Sequence, residues 1–281
     1  MGLFCTIIIL LTLIVVAMNV FAYKINASPS ETKKIFSQKN IEYEEHFIDF
    51  KNIKIRAIST GNEQAGILIV FAHGAPGAWN AFRNYLLDSM LLSKAQLISI
   101  DRIGYGYSAN GQVEKSIVEQ VNALKTITDY FQYENLILVG HSYGGPIVGS
   151  YAARFPEKLS GIIMLAPVID PEHEKQFWIN NLLNLKFISW MLPGYLNVSV
   201  QEKISHAASL KQIESDWSKI NVPVIHMHCS DDWIAPAVHN IAYSKAHIPK
   251  AYLHLEEWKG AGHLIPFNSF EKVRDSILNF L

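Results

Sequence analysis

Cysteine is nearly missing from this chain. It has two in 281 residues, Cys5 in an N-terminal apolar run and Cys229 at the end of a strand-like segment. Two cysteines so placed make no disulfide framework, and Cys229 reads as a small packed apolar residue. Excess charge is missing too. Lys and Arg number 24 against 25 Asp and Glu, a formal net charge of −1, and the basic residues are scattered rather than striped with aromatics. That pattern excludes an electrostatic footprint for nucleic acid. No repeat or low-complexity tract interrupts the chain, and 49% hydrophobic residues supply one large core, so a single domain is the economical reading.

Charge is absent from one particular place. Leu3 to Ala22 carries none, and the first charged residue is Lys24. Twenty residues at a 1.5 Å rise reach roughly 30 Å, enough to cross a bilayer. Val20-Phe-Ala22 offers small residues where a signal peptide is cut, so residues 1–22 read as either a cleaved signal or an uncleaved anchor. Either one exports the rest of the chain, with membrane association only through residues 3–22 and residues 23–44 as an exposed linker. Lys24, Lys33 and Lys34 argue for the opposite orientation.

From residue 45 apolar runs and amphipathic stretches alternate. Strands are expected at Glu45–Phe50, Ile53–Ser59, Ile67–Ala72, Leu97–Asp101, Leu136–Val139, Gly161–Leu165, Val222–His228 and Ala251–Leu255. Helices are expected at Trp79–Ser93, Val113–Phe131, Pro146–Phe155, Ala237–His247 and Phe267–Leu281. Strands apolar on both faces, joined by helices, predict an α/β fold with a mostly parallel eight-stranded sheet and right-handed crossovers. The rhythm breaks between Asp170 and Asn221. About fifty structureless residues are improbable, so residues 171–221 are expected to form a small helical cap, with helices over Gln176–Trp190 and Val200–Ile213. Its Phe177, Trp178, Leu182, Leu183, Phe187, Trp190, Met191 and Leu192 are expected to dock the cap and line an apolar pocket.

Three short motifs carry chemistry. Gly140-His-Ser-Tyr-Gly144 follows an apolar strand and precedes a helix, the context in which a G-x-S-x-G turn lifts the Ser142 hydroxyl above a sheet edge. A hydroxyl is a poor nucleophile, so a base and an orienting acid must be supplied. His263, in Gly260-Ala-Gly-His263, is the base candidate because glycines leave its ring room, whereas His226, His228 and His254 lie within strands and read as structural. Asp232 is the preferred acid, four residues before Pro236, with Asp231 and Asp170 open as alternatives; Asp170 also reads as a turn cap. His73-Gly-Ala-Pro-Gly77 follows the third strand, and the backbone N–H groups of Ala75 and Tyr143 are the expected oxyanion donors, since Pro76 has none to give.

These blocks, with Asp101-Arg-Ile-Gly-Tyr-Gly-Tyr-Ser108, resemble the α/β-hydrolase superfamily over roughly residues 45–281, including its Ser, Asp, His order. In the family's G-x-x-D-x-x-x-P block Asp232 and Pro236 match, but Cys229 stands where glycine is common. The resemblance implies the α/β-hydrolase fold with a cap after the sixth strand. It further implies a serine hydrolase acting on a small-molecule ester or related acyl substrate, esterase- or lipase-like, with no cofactor and no metal. A cofactor-free perhydrolase and a non-catalytic binding member are the alternatives. Serine at the turn argues against epoxide hydrolase or dehalogenase chemistry, which needs a carboxylate there. Asp101 and Arg102 read as structural.

Overall fold

β3 (Ile67–Ala72) and β5 (Asn135–His141) lie side by side at the centre of the sheet, and nearly every residue in them is buried. The order is β1 (Glu44–Phe50), β2 (Ile53–Gly61), β4 (Gln96–Ile100), β3, β5, β6 (Leu159–Leu165), β7 (Val224–Cys229), β8 (Leu253–Trp258). Only the pairings of β2 with β1 and with β4 are antiparallel. A computed structural model describes residues 26–281 of this α/β-hydrolase fold.

Alternation sorts the side chains into two layers. Leu68, Val70, Leu136, Leu138, Ile162 and Met164 pack on one face with Val121 and Leu124 of α2 (Ile117–Tyr130) and Ile147 and Val148 of α3 (Gly144–Arg154). Ile69, Phe71, Ile137, Val139, Ile163 and Leu165 pack on the other with Trp79, Phe82 and Tyr85. From β3 the order runs outward to β4 on one side and to β5 on the other. Loops leaving the carboxyl ends of β3 and β5 therefore part, and a crevice opens between them. Register sets those ends level, Ala72 beside Gly140 and Gly140 beside Met164.

Within the expected linker at 23–44, the structure corrects residues 27–36, which pack on the domain. Pro29–Ser37 forms a helix, α1, opened by a capping box in which Ser28 and Glu31 exchange side-chain and backbone hydrogen bonds. Phe36 is fully buried and stacks on Tyr43 and Trp79, a burial that contributes roughly 1.5–3 kcal/mol. Arg56, itself buried, donates to Ala27 O and Thr32 Oγ1. Buried apolar surface and a buried cation together make this stretch part of the domain. The expected export segment, residues 1–22, lies outside the described residues, among which no helix is long and apolar enough to cross a membrane.

Two other expectations shift. The helix expected at Trp79–Ser93 breaks into a 3-10 turn at Trp79–Phe82 and short helices at Arg83–Leu86 and Ser89–Leu92. Asp88 is the cause: its Oδ1 accepts from Met90 N and Leu91 N and so starts a new helix. Between β6 and β7 lie α4 (Trp178–Leu183), α5 (Lys186–Met191) and α6 (Gly194–Gln212), the last starting directly after Pro193. β7 is followed by α7 (Ala237–His247), and α8 (Phe270–Leu278) lies near the end of the chain.

Candidate active site

β5 ends at His141 and α3 begins at Gly144, so Ser142 must reverse the chain almost alone. Its φ is +52°, a region an L side chain enters at a cost. Glycine makes the turn fit. A Cβ on Gly140 would sit 2.3 Å from Gly144 O, one on Gly144 2.2 Å from Ala72 O, and one on Gly145 2.5 Å from Pro167 Cβ. The turn is closed by Ser142 N–H to Leu165 O and Gly145 N–H to Ser142 O, each 2.9 Å, and neither bond uses the Tyr143 amide.

His263 arrives on the loop after β8. Gly260 and Gly262 take φ of +101° and +57° with open space where a Cβ would stand, so they serve the backbone conformation rather than clearance for the ring. His263 Nε2 lies 2.9 Å from Ser142 Oγ, and Nδ1 lies 2.7 Å from Asp232 Oδ2. A carboxylate only accepts, so Nδ1 carries its hydrogen and Nε2 of the neutral ring can take one from Ser142. The other acids stand apart. Asp231 accepts from Gly260 N at 3.2 Å and braces the loop that bears His263. Asp170 caps the amides of Glu172 and His173 and pairs with the His173 ring, 2.8 Å away.

Asp232 is held from every side. Its Oδ1 accepts from Ile234 N and Ala235 N, both at 2.9 Å, and Oδ2 also meets His228 Nε2 at 3.2 Å. Burial would raise this carboxyl's pKa, but hydrogen bonds from His228 and His263 and the charge on His263 outweigh it and hold it below the usual carboxylate range. His228 Nε2 is 2.7 Å from Ala235 O as well, so that nitrogen must be the N–H. In the neutral ring Nδ1 is then an acceptor, and a buried line continues through His226, 3.0 Å away, to Ser244 Oγ. His226 and His228 are thus structural, but what they support is the acid. Nothing in an alternating strand pattern marks that role.

His141, the variable residue of the G-x-S-x-G turn, donates from Nε2 to the His263 carbonyl at 2.9 Å. Burial, with the charge of His263 adding, pushes its pKa down to about 3, so it is a neutral brace.

The loop expected to bind the oxyanion is pinned from beneath. His73 Nδ1–H donates to Gly74 O at 2.6 Å, while Nε2 accepts from Arg102 N at 3.0 Å. Arg102 donates from Nε to His73 O at 2.9 Å and from Nη2 to Gly74 O at 3.2 Å. Its other bonds reach Glu202 on α6 at 2.7 and 3.1 Å, and its guanidinium sits 4.6 Å from the Tyr143 ring centroid. Arg102 is structural, as its sequence block implied. The missed partner is Glu202, a fully buried cap residue 100 positions away. Ala75 and Tyr143 line the same cavity as Ser142 and His263.

That cavity, about 480 Å³, runs under the cap. Of the cap residues expected to line it, Phe177 does so, but Trp178, Phe187 and Trp190 are 77%, 71% and 82% exposed. α4 and α5 are only six residues each, too short to bury apolar side chains all round. Among the described residues, donor atoms of Asp170, His173 and His239 come within 4.8 Å of one another. The two rings stack in nearly parallel planes, 4.0 Å apart at 8°, so their in-plane lone pairs do not converge on one ion.

A family model described as the alpha/beta hydrolase fold matches residues 67–187. Epoxide hydrolase B of Mycobacterium tuberculosis is 27% identical over 119 residues, 41% of this chain and 33% of that protein. A cis-3-alkyl-4-alkyloxetan-2-one decarboxylase of Shewanella oneidensis is 31% identical over 129 residues, 44% of this chain and 39% of that one. The chain therefore spans well under half the length of these relatives. A solved carboxylesterase from Bacillus subtilis superposes with a TM-score of 0.64 at 18% identity, covering 88% of this chain and 94% of its own. Fold, turn and likenesses agree: the chain has the α/β-hydrolase fold, and its residues 67–187 match that family's model.

Proposed function

We propose that this protein is a serine hydrolase that cleaves a carboxylic ester or related acyl bond through an acyl-enzyme on Ser142. The observation that carries the reading is the continuous line Ser142 Oγ, His263, Asp232, with separations of 2.9 and 2.7 Å. Ser142 Oγ attacks the acyl carbon as its proton passes to His263 Nε2, and Asp232 stabilises the imidazolium. The backbone N–H groups of Ala75 and Tyr143 receive the developing oxyanion. The leaving alcohol departs with the proton from His263. Water, deprotonated by the same nitrogen, then releases the acid and restores Ser142.

An alkyl–enzyme ester would need a carboxylate nucleophile, and the turn carries a hydroxyl; this favours acyl transfer over the epoxide opening named for the mycobacterial relative. Ser142→Ala should lower kcat on short p-nitrophenyl esters by about 10⁴-fold or more. Full turnover by that variant, or no labelling of Ser142 in the folded protein by a fluorophosphonate, rejects the reading.

A further inference from the structure

The roof of the cavity is polar where it faces the nucleophile. Glu174 and His206 line it with side chains 2% and 3% exposed. Glu174 Oε1 takes the Lys203 ammonium and, at 3.1 Å, His206 Nδ1. A carboxylate can only accept, so the Nδ1 hydrogen of His206 is committed and Nε2 is its open end. That Nε2 is buried without a partner, as is Asn180 Nδ2, and both residues line the cavity. The His206 ring stacks on Tyr143 at 4.5 Å and 22°, which holds it against the residue beside the nucleophile.

The charges close on themselves. Burial pushes the Glu174 pKa up, but the hydrogen bond from His206 Nδ1–H and the Lys203 ammonium outweigh it and hold it low. Carboxylate and ammonium then cancel, leaving polarity without net charge. An anionic substrate group would meet Glu174, and a purely apolar chain would leave His206 Nε2 unpaired.

We infer that the acyl part of the substrate carries a neutral hydrogen-bond donor, a hydroxyl or an amide N–H, that gives its hydrogen to His206 Nε2 while the scissile carbonyl sits at Ser142. Where the donor belongs to an amide, its carbonyl oxygen faces Asn180 Nδ2. This rests on the Ser142 hydrolase reading and adds a substrate class to it.

The test pairs p-nitrophenyl esters of matched length: 3-hydroxybutyrate with butyrate, N-acetyl-β-alanine with hexanoate, N-acetyl-γ-aminobutyrate with heptanoate. The wild type should favour at least one donor-bearing member by about tenfold or more in kcat/KM, because a site built for a hydrogen bond rejects the analogue that lacks it. His206→Phe keeps a ring over Tyr143 and should bring that ratio to about one, whatever happens to the absolute rates, and His206→Gln should keep part of it. Ratios near one in the wild type, or an unchanged ratio in His206→Phe, overturn the inference. If no ester is turned over, the Ser142 reading fails separately. Calorimetry with the matching N-butyl amides then decides: equal affinity within every pair overturns the donor site, and tighter donor-bearing members dependent on His206 uphold it.

Discussion

The floor and the roof of the cavity are built on opposite terms. On the floor, both oxygens of Asp232 are fully engaged, and His141 and Asp231 brace the backbone that carries His263. On the roof, α4 and α5 leave tryptophans in solvent, and His206 Nε2 and Asn180 Nδ2 have no partner. The proposed triad tolerates little misplacement, and it stands on a sheet edge that over-determines it. The proposed recognition surface can rest on less. Arg102 with Glu202 is where the two regimes are joined, since one ion pair holds both the loop bearing Ala75 and the longest cap helix.

The comparison breaks most sharply if the floor tolerates a polar error. In Asp232→Asn, an oxygen kept toward Ile234 N and Ala235 N turns the amide nitrogen on the N–H groups of His263 and His228, donor against donor. The relay then loses its tautomer, and kcat should fall by about 10⁴-fold while the protein stays folded. Short p-nitrophenyl ester kinetics with circular dichroism measure this. A loss under tenfold would mean that Asp232 does not orient the ring.

Next in size is the joint between the halves. Glu202→Gln leaves Arg102 buried without its counter-charge and should cost about 3–5 kcal/mol in urea unfolding. Replacing both, Arg102→Met with Glu202→Leu, should restore most of that stability. Activity should not return with it, because His73 O and Gly74 O lose their donors and the Ala75 amide drifts, at a cost of about 10²-fold in kcat. Recovery of both together would reduce Arg102 to a packing residue.

What could be read in the sequence follows the range of the interactions. β3 and α7 have their expected bounds, because an apolar run and a Pro236-led helix start are local signals. Ser142, His263 and the Ala75 loop carry motif spacing, and the fold brings them to one cavity. Arg102 with Glu202 joins the body to the cap over 100 positions, and Glu174 with His206 joins two parts of the cap over 32, where no period or spacing reports a contact. α1 was hidden for another reason: Ser28 to Ser37 is polar in bulk, and its burial rests on Phe36 and Thr32 alone. The cap's exposed aromatics misled because composition says which residues prefer burial, not whether a six-residue helix has a partner to bury them.

A smaller effect should appear in the pH dependence of the floor. His141 titrates at about 3 in the native state against 6.5 in an unpaired histidine. Between those values the unfolded chain binds a proton that the native one refuses, so stability falls as pH drops, by up to about 1.4 kcal/mol per unit. His141→Gln keeps a donor for the His263 carbonyl but takes up no proton. It should be the less stable protein at pH 7.5, and its deficit should shrink by a few kcal/mol at pH 4. Urea unfolding of both proteins across that range is the measurement. Parallel curves would show that the buried imidazole is reached by solvent in the native state.

The smallest expected effect lies on the outside of the roof. Phe187→Ser and Trp190→Ser remove large side chains that are mostly exposed. Each should shift stability by no more than about 0.5 kcal/mol, which for a domain of this size is roughly 1–2 °C in Tm. Neither residue lines the cavity, so kcat/KM on soluble short esters should stay within about twofold. Thermal melts and ester kinetics on the full chain check both numbers. A drop of 5 °C or more would mean that these side chains are covered in solution. The roof would then be as firmly packed as the floor, and the contrast between a rigid chemical frame and a loosely held recognition surface would fail.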